Sequence, residues 1–151
     1  MNKAEIGNTA PDFKLLNQDG QEVKLSDFKG TNVVLAFYPF DFSPVCTEEF
    51  GCFQDDLHDL KSLEAQVLGI SVDSKYCHKA FADKLNLKFP LLSDFSKDVC
   101  KLYGTLRQEG FSNRAYFIID KNGMIRFKKI MDVPKDRMEN KDLIVELKKI
   151  K

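Results

Sequence analysis

The run Val33-Val34-Leu35-Ala36-Phe37-Tyr38 carries no charged residue on either side of its alternation. A strand of that kind is covered on both faces, which puts it in the middle of a sheet with a packed layer above and below. Val67 to Val72 is a second buried strand of the same kind. Between them the segment from about Pro44 to Leu63 reads as helix, with Phe50, Phe53, Leu57 and Leu60 recurring at spacings of three and four. Ser74 to Leu85 reads as another helix and Ser96 to Tyr103 as a short one with Ser96 as its N-cap.

Phe13 to Leu16 and Val23 to Leu25 flank Asn17-Gln18-Asp19-Gly20, a hairpin signal, and Leu25 to Gly30 reads as a short capped turn. Ala115 to Ile119 and Met124 to Lys129 form a second hairpin around Asp120-Lys121-Asn122-Gly123. Asn140 to Ile150 closes the chain as an amphipathic helix with Leu143, Ile144, Leu147 and Ile150 on one face. Lys148, Lys149 and Lys151 sit at its negative end. The expectation is an α/β fold: a central mixed β-sheet flanked by helices, with an N-terminal β-hairpin. The pattern fits the thioredoxin-like class and leaves flavodoxin-like folds open.

No repeat or Pro/Gly-rich linker divides the 151 residues, so a single domain over 1–151 is expected. Lys+Arg and Asp+Glu balance at 23 each, which disfavours nucleic-acid and acidic-membrane partners. Met1 to Gly7 has no apolar signal region, and Val33 to Phe40 is far too short to span a bilayer, so a cytoplasmic location is expected. In that reducing compartment Cys46, Cys52, Cys77 and Cys100 are not permanent staples but working thiols or small buried hydrophobes.

Cys46 is placed for chemistry. Pro44 suits a first helical position, because its missing N–H would have no intrahelical partner there. Cys46 then falls in the first turn, where free backbone N–H groups and the positive end of the helix dipole favour a thiolate. It lies four residues before Phe50, on the buried stripe, at the C-terminal edge of a central strand where open α/β sheets collect their ligands. Cys52 falls beside Asp55, Asp56 and Asp59 on the solvated face. His58, on a mostly polar part of its helix, and His78, flanked by Lys79, read as solvated. The cysteine spacings offer no paired knuckle for structural zinc and no Gly-rich phosphate loop is present, so neither metal nor cofactor is expected.

Pro39-x-x-x-Ser43-x-x-Cys46, followed by Thr47 and Glu49, resembles the active-site signature of the peroxiredoxins. Gly7-x-x-Ala10-Pro11-Asp12-Phe13 resembles that family's opening. Gly69 to Ser74 and Phe89 to Asp94 resemble its middle, and Arg114 to Gly123 resembles the strand that carries its arginine. The likeness covers essentially the whole chain in order and lies nearest the bacterioferritin-comigratory (Q) type and related single-domain members. It implies a thioredoxin-like fold and a cofactor-free thiol peroxidase acting on hydrogen peroxide and small organic hydroperoxides. The implied electron donor is thioredoxin or a similar dithiol protein, and the implied state is monomer or homodimer.

Carried over residue by residue, the resemblance makes Cys46 the peroxidatic nucleophile and gives Arg114 the thiolate and the departing oxygen to stabilise. Ser43 would hydrogen-bond the peroxide, Pro39 would shield the sulfur, and Glu49 would position Arg114. Close relatives often carry a resolving cysteine five residues after the nucleophile, but here that position is Gly51 and Cys52 comes at six. Six residues turn a helix by roughly 600°, so Cys52 points away from Cys46 while the helix is intact. Cys77, in the first turn of the next helix, ranks just ahead of Cys52 as resolver. A mechanism without an internal resolver follows, and then Cys100.

Two rival readings remain. A disulfide exchanger of thioredoxin type needs a second cysteine close by and a facing proline, but Thr47-Glu48-Glu49 follow Cys46 and no proline lies between Gly104 and Gly123. A redox-sensing or metal-binding module built from the four thiols would turn over no peroxide.

Overall fold

The computed structural model describes residues 4–133 and 135–150. The expectation for Lys151 lies outside these. The strands are β1 (Lys14–Leu16), β2 (Glu22–Lys24), β3 (Asn32–Phe37), β4 (Ala65–Ser71), β5 (Leu91–Ser93), β6 (Ala115–Ile119) and β7 (Ile125–Ile130). The helices are α1 (Pro44–Asp55), α2 (Leu57–Ser62), α3 (Lys75–Leu85), α4 (Asp98–Leu102) and α5 (Asn140–Lys148), and a 3-10 turn spans Leu25–Phe28.

The seven strands form one sheet in the order β2-β1-β5-β4-β3-β6-β7. β3, β4 and β5 run parallel, and β6 lies antiparallel to β3, so the sheet is mixed. The apolar run is wholly buried, and its alternation feeds two cores. Val34, Ala36 and Tyr38 pack with α1, α2, α3 and α5, while Val33, Leu35 and Phe37 pack with α4 and the N-terminal segment. Because β3 and β4 are parallel, α1 and α3 begin at the same sheet edge. The thioredoxin-like architecture and the N-terminal hairpin are as expected. Among the described residues no helix is long and apolar enough to cross a membrane.

Two local expectations need correction. The helix expected from Pro44 to Leu63 breaks at Asp56, whose φ of −93° and ψ of 8° end α1 and start α2. Asn140 donates to the Asp56 carboxylate at 3.0 Å across that break. Ser96 does not cap α4: the Asp94 carboxylate accepts from the N–H groups of Val99 and Cys100, at 3.1 and 2.7 Å. Asp94 lies four residues before the helix and reaches it because Lys97 takes a left-handed conformation. Leu91–Ser93 is a strand that periodicity does not reveal, because three residues make too short a run to show alternation.

Candidate functional site

Ser43 is extended, Pro44 is the first helical residue of α1, and Cys46 therefore sits in the first turn with its sulfur fully buried. Arg114 immediately precedes β6 and shares a sheet face with Tyr116 and Ile118, which pack on α1. Its Nη2 donates to the Cys46 sulfur at 3.0 Å, and its Nη1 donates to Glu49 Oε1 at 2.7 Å. Glu49 lies three residues after Cys46 on the same helical face. All three side chains are at most 1% exposed, so the charges act in a dry environment where unpaired ions would be costly.

The charges hold one another. Burial pushes the Glu49 carboxyl above the usual carboxylate range, opposed by Arg114 and by a hydrogen bond from Tyr116. Burial works against the Arg114 charge, but Glu49 and Cys46 outweigh it and keep the guanidinium above its usual value. The arrangement suits a buried thiolate with a fixed cation beside it, which also stabilises negative charge developing on an atom that meets the sulfur.

Pro39 is buried at the end of β3. Ser43 Oγ donates to the Phe40 carbonyl at 2.9 Å, which fixes the hydroxyl and leaves its lone pairs as acceptors. The loop between β3 and α1 carries two exposed aromatic residues that pack on other elements: Phe42 on Phe81 and Phe40 on Phe111, with ring centroids 5.1 and 4.9 Å apart. Of the residues expected from the sequence, Cys46, Arg114 and Glu49 are brought into contact by the fold, and Pro39 and Ser43 lie in the segment between β3 and α1 that leads into Cys46.

The remaining thiols differ. Cys100 is buried and pushed up to about 12 by burial and by Asp94. Cys77 is half-buried, and burial, then Asp41 and Asp73, push it up to about 12 as well. Cys52 is half-buried on the other side of α1 with Arg137 Nη2 4.0 Å from its sulfur.

His78 corrects the expectation of a solvated side chain. It is fully buried, with Nδ1 2.7 Å from Asp41 Oδ2 and Nε2 3.0 Å from the Leu92 carbonyl. Tyr38 donates to the same Asp41 carboxylate at 2.5 Å. Its partners lie in other elements, and the flanking Lys79 points elsewhere, to Asp19 and Asp83. Asp41, Asp73 and Cys77 bring ligand atoms within 4.8 Å of one another. That cluster is closed by its own hydrogen bonds, since Asp73 Oδ2 accepts from Ser71 and from the Asp41 N–H. Tyr116 is the residue at the site that sequence reasoning missed. The period of β6 was the available signal, since it puts Tyr116 on the same face as Arg114.

Residues 6–128 match the AhpC/TSA family. Peroxiredoxin-2 of Mus musculus is 40% identical over 145 residues, covering 89% of this chain and 73% of that protein. The mitochondrial thioredoxin-dependent peroxide reductase of Drosophila melanogaster is 42% identical over 143 residues, covering 87% of this chain and 61% of that one. The reduced 2-Cys peroxiredoxin of Plasmodium vivax superposes with a TM-score of 0.88 at 32% identity, over 96% of this chain and 95% of that one.

Proposed function

The chain belongs to the AhpC/TSA family, the peroxiredoxins, and we infer that Cys46 is the sulfur with which this thiol peroxidase reduces hydroperoxides. The observation that carries the assignment is the Arg114 N–H held 3.0 Å from a buried sulfur in the first turn of α1. The Cys46 thiolate attacks the terminal peroxide oxygen, the O–O bond breaks, and a sulfenic acid forms. The departing hydroxide or alkoxide takes up a proton and leaves as water or alcohol. Arg114 stabilises the charge that moves from sulfur to that oxygen, and Glu49 keeps Arg114 in place. Ser43, its own proton committed to Phe40, accepts a hydrogen bond from the peroxide, and Pro39 keeps bulk water off the sulfur. The close fit around a fully buried sulfur supports small hydroperoxides as substrates.

Cys46→Ser tests the assignment. Peroxide consumption with a dithiol reductant should fall to the uncatalysed rate while the circular dichroism spectrum stays native. Retained turnover would place the chemistry on another thiol.

For the resolving step, the surroundings of the two candidates support Cys52 over Cys77, against the order suggested by spacing. Cys77 would have to attack as a thiolate, which burial and two carboxylates oppose, whereas Cys52 has the Arg137 guanidinium 4.0 Å from its sulfur and no carboxylate pair against it. Pairing with Cys52 requires the start of α1 to unwind. A Cys46–Cys52 disulfide in peptide maps of peroxide-treated protein supports this order, and a Cys46–Cys77 link or a lasting sulfenic acid overturns it.

The electron donor we propose is a thioredoxin-type dithiol protein, as the name of the Drosophila relative indicates for that enzyme. Within the family, the similarity to mouse peroxiredoxin-2 and to the 2-Cys enzyme of P. vivax supports a place beside these rather than in the bacterioferritin-comigratory type that the motifs suggested. We further propose one domain, because a single sheet organises both cores, and a cytoplasmic location, because four free thiols suit a reducing compartment. The proposed state is monomer or homodimer, to be read by sedimentation.

A further inference from the structure

Glu49 has to serve two demands in a site closed off from solvent. Its Oε1 takes the Arg114 N–H at 2.7 Å, and its Oε2 needs a donor of its own. That donor is Tyr116, whose hydroxyl meets Glu49 Oε2. The hydroxyl is oriented from behind, because the Met138 N–H donates to it at 3.1 Å, so its own proton is aimed at the carboxylate. Tyr116 is fully buried, and burial together with the Glu49 charge pushes its phenol far above the usual range, so it stays a donor. A chain of contacts thus runs from the backbone ahead of α5, through Tyr116, Glu49 and Arg114, to the Cys46 sulfur.

An apolar side chain here would leave one oxygen of a buried carboxylate unsatisfied. The carboxylate would then rotate to take both its bonds from Arg114, and the N–H now aimed at sulfur would be drawn away. We propose that Tyr116 is a positioning residue for the peroxide step, which fixes Glu49 so that Arg114 is divided between the carboxylate and the Cys46 sulfur. The inference rests on the assignment of Cys46 and Arg114 made above, and it acts only through Glu49.

A double-mutant cycle tests it, with wild type, Tyr116→Phe, Glu49→Gln and the double variant. Phe keeps the ring that packs in β6 and removes only the hydroxyl. Two rates are read on each protein: oxidation of Cys46 by stoichiometric hydrogen peroxide, and alkylation of Cys46 by iodoacetamide. Tyr116→Phe should slow Cys46 oxidation about ten-fold in the wild-type background, as expected for one hydrogen bond to a charged group. In the Glu49→Gln background the same change should cost less than about two-fold, and alkylation should show the same non-additivity. Equal rates for wild type and Tyr116→Phe, or the same loss in both backgrounds, would make Tyr116 a packing residue only. Should the wild type fail to react with peroxide, the peroxidase assignment falls, and the alkylation cycle alone decides for or against Tyr116.

Discussion

Replacing Arg114 with Met removes the N–H that lies 3.0 Å from the Cys46 sulfur and leaves the buried Glu49 without its guanidinium. Both the thiolate and the departing oxygen lose their cation, so peroxide should oxidise the variant on the order of 100- to 1,000-fold more slowly, as when one oxyanion donor is deleted. Ser43→Ala should cost less, about ten-fold, since one neutral hydrogen bond goes. Stopped-flow peroxide kinetics on the two variants checks both, and a wild-type rate for Arg114→Met would remove Arg114 from the mechanism. At this scale the sequence was legible where a residue belongs to a local motif: Pro39, Ser43, Cys46 and Glu49 lie within one strand-to-helix segment. It was illegible where a partner comes from elsewhere in the chain. His78 meets Asp41 across 37 positions, and Tyr116 meets Glu49 across 67, so no local pattern announces either partner.

α1 is an element with a weak place at its centre. Gly51 lies between the two cysteines Cys46 and Cys52, and a Cβ added there would meet nothing within 4 Å. Gly51→Ala should therefore stabilise the protein by about 0.5–1 kcal/mol, because glycine loses more backbone freedom in a helix than alanine does. If Cys46 and Cys52 pair by unwinding α1, the same change should slow disulfide formation by about two- to five-fold, the rate equivalent of that energy. Denaturant melts and quenched-flow thiol titration read the two effects. Stabilisation with an unchanged disulfide rate would show that α1 stays closed during resolution. The apolar stripe of this helix was legible because its period is local, whereas the break at Asp56 was not, because it is met by Asn140 at the other end of the chain.

Across the whole molecule, one sheet edge gathers what the peroxide meets: the C-terminal end of β3, the start of α1 and the approach to β6. The sheet and the helix that bears Cys46 are pressed together at Gly69, where an added Cβ would come within 2.7 Å of the Phe50 ring and 2.9 Å of Leu91. Phe50 is one turn beyond Cys46. Gly69→Ala should cost about 1–3 kcal/mol through overpacking, measured by thermal melts, and should slow peroxide reduction although it touches no reacting group. Unchanged stability and rate would mean that α1 gives way freely. The fold class was legible as a whole because β3 is apolar on both faces and so demands two layers. The central claim is that Cys46, held by Arg114, is the thiol that meets peroxide. Mass spectrometry after one equivalent of hydrogen peroxide, with free thiols labelled at neutral pH, tests it most directly. The oxygen should appear first on Cys46, with Cys77 and Cys100 unoxidised at that point, whereas first oxidation at any other cysteine would contradict the account.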